Sequence, residues 1–303
     1  MNLHPAKFWE ASGEGKVRCN LCRFHCVIAD GRRGRCGVRE KPEGALYSLV
    51  YGYTVAENVD PIEKKPLYHF HPGSKSLSLA TVGCNFHCLH CQNYQISQWP
   101  HERDGIPGTE LSPQEIVQHA VESGSASIAY TYTEPTIYFE YAFDTAVLAR
   151  SAGIKNVFVT NGYTTTAALE AIAPYLDAAN VDLKGFSDKA YREVTGASLD
   201  GVLDCLRDYR RLGIWLEVTT LIIPGHNDSE DELRQIASFI AEELGHDVPW
   251  HISAFYPTYK MQDRPPTPAS SLYLARELGR EAGLQYVYLG NIEDPGAGDT
   301  ICP

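Results

Sequence analysis

The chain has 303 residues, of which 44% are hydrophobic and 21% are charged. A chain of this length and composition can bury a large core, so extensive disorder is excluded and one barrel-sized domain with a smaller region is expected. The formal net charge is −12. This charge argues against nucleic acid or an anionic membrane surface as the main partner, because either would need a concentrated basic patch.

The amino-terminal residues lack the long apolar core of a signal peptide, and no stretch of the sequence approaches the length of a membrane span. The expected location is therefore cytoplasmic. In this reducing compartment, the nine cysteines are better explained as metal ligands than as disulfides. Seven of them precede residue 92, so the amino-terminal third of the chain is predicted to be its metal-binding part.

Residues 1–73 show no regular alternation of strand and helix patterns and predict a separate, irregular region that ends near His71-Pro72-Gly73. The region contains four closely spaced cysteines, namely Cys19, Cys22, Cys26 and Cys36. Four thiolates on a glycine-rich turn can surround one metal ion. A structural zinc or iron site, a second iron–sulfur cluster, and thiols that hold no metal or act on a substrate are all compatible with this pattern.

Three further cysteines, Cys84, Cys88 and Cys91, follow a strand predicted over residues 76–82. Three thiolates at this spacing can bind three irons of a cubane cluster and leave the fourth iron without a protein ligand. Zinc is the alternative, because spacings of two to four residues also suit zinc. The neighbouring His87 and His90 lie inside the loop, where they are badly placed to complete a tetrahedron.

From residue 74 to residue 303, strand and helix patterns alternate, as is typical of parallel strands joined by helices. Further strands are predicted over residues 127–132, 157–160, 179–183, 215–223, 250–254 and 286–289. Helices are predicted to begin at Ser112 and Ser229, each in a capping box, and at Thr267-Pro268. Six or seven such units predict an α/β fold with a partial (β/α)6-type TIM-like barrel. An open doubly wound sheet is the alternative, and in both folds ligands bind at the carboxyl ends of the strands.

Polar residues follow the predicted strands at those carboxyl ends, namely Glu134, Thr160, Asn161, Asp182 and Lys184. A carboxylate at Glu134 can accept hydrogen bonds from a ligand ammonium group, although a carboxylate at a helix start is also common. Thr160-Asn161 can bond ribose hydroxyls or form an ordinary turn. Asp182 and Lys184 point to the same side of their strand, so a buried ion pair without a catalytic role is an equal alternative.

The cysteine spacing, together with Glu134 after the next strand, resembles the radical S-adenosylmethionine (radical SAM) superfamily. Other segments resemble the radical SAM enzyme of the AmmeMemoRadiSam system and the related branch of pyruvate formate-lyase activating enzymes; these segments are residues 63–70, 130–136, 182–186, 249–253 and 256–257. The resemblance implies a [4Fe-4S] cluster on Cys84, Cys88 and Cys91. The fourth iron would bind S-adenosylmethionine, which is cleaved reductively to a 5′-deoxyadenosyl radical that takes hydrogen from a substrate.

The resemblance also implies that Glu134 binds the methionyl ammonium group, in a loop where Tyr132-Thr133 replace two glycines of the family motif. Thr160, Asn161, Asp182 and Lys184 would contact the rest of the cofactor. A flavodoxin or ferredoxin would supply electrons, and the substrate is a small molecule or a protein. Installing a glycyl radical on a partner protein is an alternative that does not require the extra amino-terminal region. A zinc-binding scaffold without catalysis would explain the thiols but not the polar strand ends.

Overall fold

The computed structural model describes residues 3–294 and 296–300, so Cys302 lies outside the described residues. The strands ahead of the first cysteine loop are β1 (His4–Pro5), β2 (Trp9–Ala11), β3 (Val17–Cys19), β4 (Val27–Ile28), β5 (Arg32–Arg33), β6 (Arg39–Lys41), β7 (Tyr47–Ser48), β8 (Tyr53–Thr54), β9 (Ala56–Pro61) and β10 (Lys75–Ala80). The later strands are β11 (Thr109–Glu110), β12 (Ser127–Tyr130), β13 (Lys155–Thr160), β14 (Ala178–Asp182), β15 (Trp215–Ile222), β16 (Trp250–Ala254) and β17 (Val287–Gly290).

The α-helices lie almost entirely between the later strands. They are α1 (Tyr94–Ser97), α2 (Trp99–Glu102), α3 (Pro113–Glu122), α4 (Phe139–Ser151), α5 (Thr166–Ile172), α6 (Asp188–Thr195), α7 (Leu199–Arg211), α8 (Glu230–Phe239) and α9 (Ala269–Glu281). The predicted capping box is complete at the start of α3, where Ser112 and Glu115 bond each other's backbone. At α8 only half of the box forms, because the Glu232 carboxylate accepts a hydrogen bond from the Phe186 amide instead.

The main sheet has the order β17-β16-β15-β14-β13-β12-β10-β9. Its strands from β10 to β17 pair in parallel, and β9 pairs antiparallel with β10. Every predicted strand of the barrel is present. In the described chain β17 and β9 form the two edges, so the barrel is partial, as predicted. The parallel order brings the carboxyl ends of all these strands to one rim, where a ligand site is expected.

The sheet begins before residue 73, the predicted boundary of the amino-terminal region. Strand β9 pairs with β10 along its whole length, from Ala56 opposite Ala80 to Pro61 opposite Lys75. The segment after β9 continues beneath the barrel, where the Tyr68 and His69 amides donate to the Glu217 carboxylate. The addition of β9 and the segment after it to the barrel depends on contacts between separate parts of the sequence. The strand–helix alternation therefore did not indicate it.

The region ahead of β9 is also more ordered than the predicted irregular structure. Its short strands form a four-stranded sheet β1-β7-β6-β5 and a three-stranded sheet β2-β3-β4, and β8 pairs with β11. Strands of two or three residues carry too little alternation to be recognised from a sequence pattern. The cysteines of this region lie on and between these small sheets.

Candidate functional site

A cavity of about 330 Å³ opens at the carboxyl ends of the barrel strands. All eight residues predicted for the first metal site and for cofactor binding line it, namely Cys84, Cys88, Cys91, Glu134, Thr160, Asn161, Asp182 and Lys184. They come from the ends of β10, β12, β13 and β14, which are neighbours in the sheet. The fold therefore brings these separated segments into one place.

The loop that carries the three cysteines is held by backbone hydrogen bonds from both sides. The His87 and Leu89 amides donate to carbonyls at the end of α6, at 2.9 and 3.0 Å, and the Lys260 amide donates to the Leu89 carbonyl. Gly83 precedes the loop with φ +96°, and a Cβ there would lie 2.9 Å from the Cys36 carbonyl oxygen. Only glycine fits this close approach without a shift of the backbone.

The three thiols lie in different polar surroundings. The Phe86 amide donates to the Cys84 sulfur at 3.4 Å, and the Asn161 amide nitrogen lies 3.8 Å from the same sulfur. The Cys91 sulfur lies 3.2 Å from the Ser97 hydroxyl. Burial raises the pKa of Cys88 to about 12, although the Lys184 ammonium opposes this shift. A bound metal would replace these protons, since cysteine ligates as the thiolate.

Glu134 is 1% exposed, and its carboxylate is used by the protein's own groups. It accepts hydrogen bonds from the Thr136 amide and hydroxyl, from the Thr160 hydroxyl and from the Asn161 amide, at 2.5–3.0 Å. Burial raises the pKa of Glu134, although these hydrogen bonds oppose the shift. The observed contacts make Glu134 a clamp between the ends of β12 and β13, and its predicted contact with a ligand ammonium group stays a prediction.

Tyr132 occupies one of the two positions where the resembled motif has glycine. It takes the left-handed backbone conformation, with φ +60°, that glycine adopts easily. Its hydroxyl donates to Asp60 at 2.7 Å, and the Lys65 ammonium lies 5.0 Å from the centre of its ring. These contacts offset a backbone cost of about 1 kcal/mol, so the glycine-like loop shape persists without glycine.

Asp182 and Lys184 form an ion pair of 2.7 Å at the rim of the cavity. Burial lowers the pKa of Lys184, but the Asp182 carboxylate raises it. The net shift is upward, so this side chain stays cationic. On the next strand end, Asn161 donates to Asn85 at 2.8 Å, while its buried carbonyl oxygen has no partner among the described residues. Cationic, anionic and free acceptor groups thus converge on the cavity beside the thiols, which suits a zwitterionic ligand.

Other lining residues were not predicted for this site, notably Lys64, Lys65, His90, Ser253 and Asn291. Strand β9 ends at Pro61, opposite Lys75 at the amino-terminal start of β10, so Lys64 and Lys65 reach the cavity from the opposite end of the barrel strands. Both ammonium groups bond Asp60, at 2.8 and 2.7 Å. The sequence signals were the adjacent lysine pair and the resemblance of residues 63–70 to the activating-enzyme branch. His90 is buried, and its Nδ1 has no partner in the described chain.

Four polar or aromatic residues on or just after the barrel strands lie away from the cavity. His251 bonds the buried Glu217 at 2.6 Å and is absent from the residues lining the site. Tyr130 and Phe255 are core residues, and Tyr256 is 53% exposed. Cys205 is fully buried in α7, where it packs in the core.

The four amino-terminal cysteines come together around a second, much smaller cavity of about 10 Å³. Within residues 3–294 and 296–300, no group of three or more cysteine, histidine, aspartate or glutamate side chains is already arranged as metal ligands would be. This holds for the first cysteine group as much as for the second. The geometry alone therefore does not distinguish the two groups as metal sites.

Residues 78–240, more than half of the chain, match the radical SAM superfamily. The chain belongs to this superfamily. It is 47% identical over 301 residues to an uncharacterized protein of Methanocaldococcus jannaschii, covering 99% of this chain and 89% of that one. It is 24% identical over 164 residues to the pyruvate formate-lyase-activating enzyme of Clostridium pasteurianum, covering 52% of this chain and 66% of the enzyme. These matches confirm the superfamily and the activating-enzyme-like branch.

The fold is also that of a protein whose solved structure contains S-adenosylmethionine. The structure of Streptococcus suis SuiB bound to S-adenosylmethionine superimposes with a TM-score of 0.56 at 15% identity, over 70% of this chain and 49% of SuiB. The cofactors are a [4Fe-4S] cluster and S-adenosylmethionine. The residues present fit them, because three thiols and an unpartnered Asn161 acceptor open into one cavity of about 330 Å³. No helix in the described part of the chain is long and apolar enough to cross a membrane.

Proposed function

We propose that this protein is a radical enzyme whose [4Fe-4S] cluster is held by Cys84, Cys88 and Cys91. The observation that carries the proposal is that these thiols share one cavity with the polar ends of the neighbouring strands. When bound and reduced, such a cluster would supply the electron for reductive cleavage of S-adenosylmethionine to methionine and a 5′-deoxyadenosyl radical, which would take a hydrogen atom from the substrate. The protein's residues bind the cofactor and exclude water.

The cavity residues have different proposed roles in cofactor binding, according to their charge. The Lys184 ammonium is suited to the methionyl carboxylate, and Asp182 fixes its position at 2.7 Å. The free carbonyl oxygen of Asn161 can accept from a ribose hydroxyl or from the methionyl ammonium group. Thr160 and Glu134 hold the backbone of these strand ends in place. Glu134 therefore acts mainly as a positioning residue.

The substrate is a small molecule or a protein, and a flavodoxin or ferredoxin is the proposed electron donor. One relative is named as an activating enzyme for pyruvate formate-lyase, which favours a glycyl-radical protein as the second candidate substrate. Lys64 and Lys65 line the same cavity and place positive charge beside the space left for the substrate. A substrate with an acidic group near the reacting carbon fits this charge.

The decisive experiment is reductive cleavage of S-adenosylmethionine under anaerobic conditions. The protein is reconstituted with iron and sulfide, dithionite and S-adenosylmethionine are added, and 5′-deoxyadenosine is quantified. Wild type and Cys205→Ala are expected to form it, because Cys205 is a buried thiol outside the cavity. Cys88→Ala is expected to lose at least about 100-fold, since one cluster ligand is missing.

The proposal is wrong if wild type holds its cluster and still makes no more 5′-deoxyadenosine than Cys88→Ala. Stoichiometric zinc at these three cysteines, without iron–thiolate absorption, would favour the scaffold alternative. The substrate class is tested by adding cell extract separated by size. Faster 5′-deoxyadenosine formation with the macromolecular fraction indicates a protein substrate, and faster formation with the small-molecule fraction excludes an activating enzyme.

A further inference from the structure

The four cysteines of the amino-terminal region line one small cavity between two short sheets. Cys19 ends β3, Cys22 and Cys26 lie in the loop that follows, and Cys36 lies just before β6. The Cys19 amide donates to the Cys26 carbonyl at 2.9 Å, which fixes two of the four residues side by side. The proposed radical chemistry uses none of these thiols.

Among the described residues, the rest of the cavity lining offers no other type of metal ligand. Besides the four cysteines, the lining residues are Leu21, Ile28, Gly34, Arg35, Arg39 and Ile137. Four sulfurs without a histidine or carboxylate are a ligand set typical of structural zinc sites.

Arg39 supplies an independent observation. It lines the same cavity and is 1% exposed. Its terminal nitrogens bond Glu140 and the Lys7 carbonyl, but its Nε has no partner among the described residues. Leaving a buried N–H without an acceptor costs about 1–3 kcal/mol. A tetrathiolate site holding a divalent ion has a net charge of −2, so it would supply the missing acceptor and attract the guanidinium group.

The size of the cavity decides what it can hold. Its volume of about 10 Å³ is that of one water-sized sphere, whereas the cavity at Cys84, Cys88 and Cys91 has about 330 Å³. A single tetrahedral ion sits about 2.3 Å from each sulfur and adds little volume of its own. A cubane cluster adds four irons and four sulfides, which this cavity does not accommodate without moving the two sheets apart.

We propose that Cys19, Cys22, Cys26 and Cys36 bind a single Zn²⁺ in a closed, structural site, separate from the [4Fe-4S] cluster. Four sulfur ligands leave no open position, so the ion has no catalytic role. This inference does not depend on the proposed radical chemistry.

The site lies directly against the loop that carries the cluster ligands. The Cys36 carbonyl and the Val38 side chain lie so close to Gly83 that a Cβ there would come within 2.9 and 2.8 Å of them. Arg35 also donates to the Asn85 carbonyl at 3.0 Å. An ion that fixes Cys36 therefore also fixes the surface on which residues 83–85 rest.

The test measures metals in the full-length protein, purified anaerobically without reconstitution. Mass spectrometry of the elements is expected to show about one zinc per chain in wild type and in the Cys205→Ser control. The Cys22→Ser/Cys26→Ser variant is expected to lose at least about nine-tenths of that zinc. The proposal is overturned if wild type holds no more zinc than this variant, or if its iron and sulfide reach about eight per chain, which would indicate a second cluster.

A second measurement needs no variant, because the double variant risks misfolding. Zinc-edge X-ray absorption of wild type is expected to show four sulfur neighbours at about 2.3 Å. Zinc coordinated mainly by nitrogen and oxygen would be adventitious, and that result would overturn the proposal. Iron in the cluster does not contribute at the zinc edge, so the two metal sites are read separately.

Discussion

Glu134 holds the ends of two neighbouring strands together through its buried carboxylate. One carboxylate oxygen accepts from Thr136 and Thr160, and the other accepts from the Asn161 amide. Each of these donors belongs to the loops that shape the cofactor cavity. A residue in this position affects binding through the backbone, even where its own side chain has no free hydrogen-bonding capacity.

We expect Glu134→Gln to lower the free energy of unfolding by about 2 kcal/mol. The amide that replaces one oxygen has only donors, so one of its N–H groups would face a protein donor. Chemical denaturation measures the effect, with the exposed Glu122→Gln as the control, which should change stability by less than about 0.5 kcal/mol. Unchanged stability together with lost S-adenosylmethionine binding would instead indicate a direct ligand contact for Glu134.

Lys184 offers a test of cofactor binding. Lys184→Met removes the ammonium group beside Asp182, and we expect the Kd for S-adenosylmethionine to rise by about tenfold, or about 1.4 kcal/mol. Lys155→Met is the matched control, because Lys155 forms a similar ion pair of 2.8 Å with Asp177 but does not line the cavity. Calorimetry on the unreduced, cluster-loaded protein measures both. Equal Kd values for the two variants would remove Lys184 from the cofactor site.

At the scale of the elements, helices and strands were predicted well where the residues that specify them are close together in sequence. The alternating pattern of β10 and the capping residues of α3 both lie within a few positions of the elements they specify. The cysteine loop was recognised from its spacing. The contacts that hold this loop in place were not predicted, because the contact between Gly83 and Cys36 joins residues that are distant in sequence.

Gly83 and Gly73 form a matched pair for testing that contact. Both have positive φ, but a Cβ at Gly83 meets Val38 and Cys36 at 2.8 and 2.9 Å, whereas a Cβ at Gly73 meets nothing within 4 Å. Gly73→Ala is therefore expected to cost about 1 kcal/mol. Gly83→Ala is expected to cost about 1–3 kcal/mol more and to reduce the iron bound after reconstitution, because the cysteine loop must shift.

Denaturation and iron analysis of the two glycine variants provide the comparison. Equal stability and equal iron content would show that the amino-terminal sheets do not press on the cluster loop.

At the scale of the whole molecule, residues 1–73 contribute more to the barrel than their sequence predicted. Lys64 and Lys65 enter the cavity, and Tyr68 and His69 close the barrel base, because β9 joins the edge of the sheet. An antiparallel edge strand ahead of a parallel barrel has no periodic signature that separates it from a loop. The parallel strands and the cavity at their ends could be predicted from the sequence. The addition of β9 and the segment after it to the barrel could not.

Glu217 is the residue that ties the segment after β9 to the barrel interior. It is fully buried, and it accepts from the Tyr68 and His69 amides, from the Trp215 indole and from His251, at 2.6–3.1 Å. Although burial raises the pKa of Glu217, the bond from His251 and the backbone amides lower it overall. The charged carboxylate thus connects donors in the segment after β9 with donors on β15 and β16.

We expect Glu217→Gln to destabilise the protein by about 3 kcal/mol, since a buried amide cannot accept from four donors. The exposed Glu242→Gln is the control and should stay within about 0.5 kcal/mol of wild type. Because the folded-state pKa is lowered, the stabilisation is complete above the ordinary value of 4.5 and is lost as the pH falls through the lower one. Denaturation at several pH values should therefore show that the difference in unfolding free energy between wild type and Glu217→Gln is constant above pH 4.5 and narrows as the pH falls below it. A gap that does not change with pH would mean that the Glu217 charge does not hold the barrel base together.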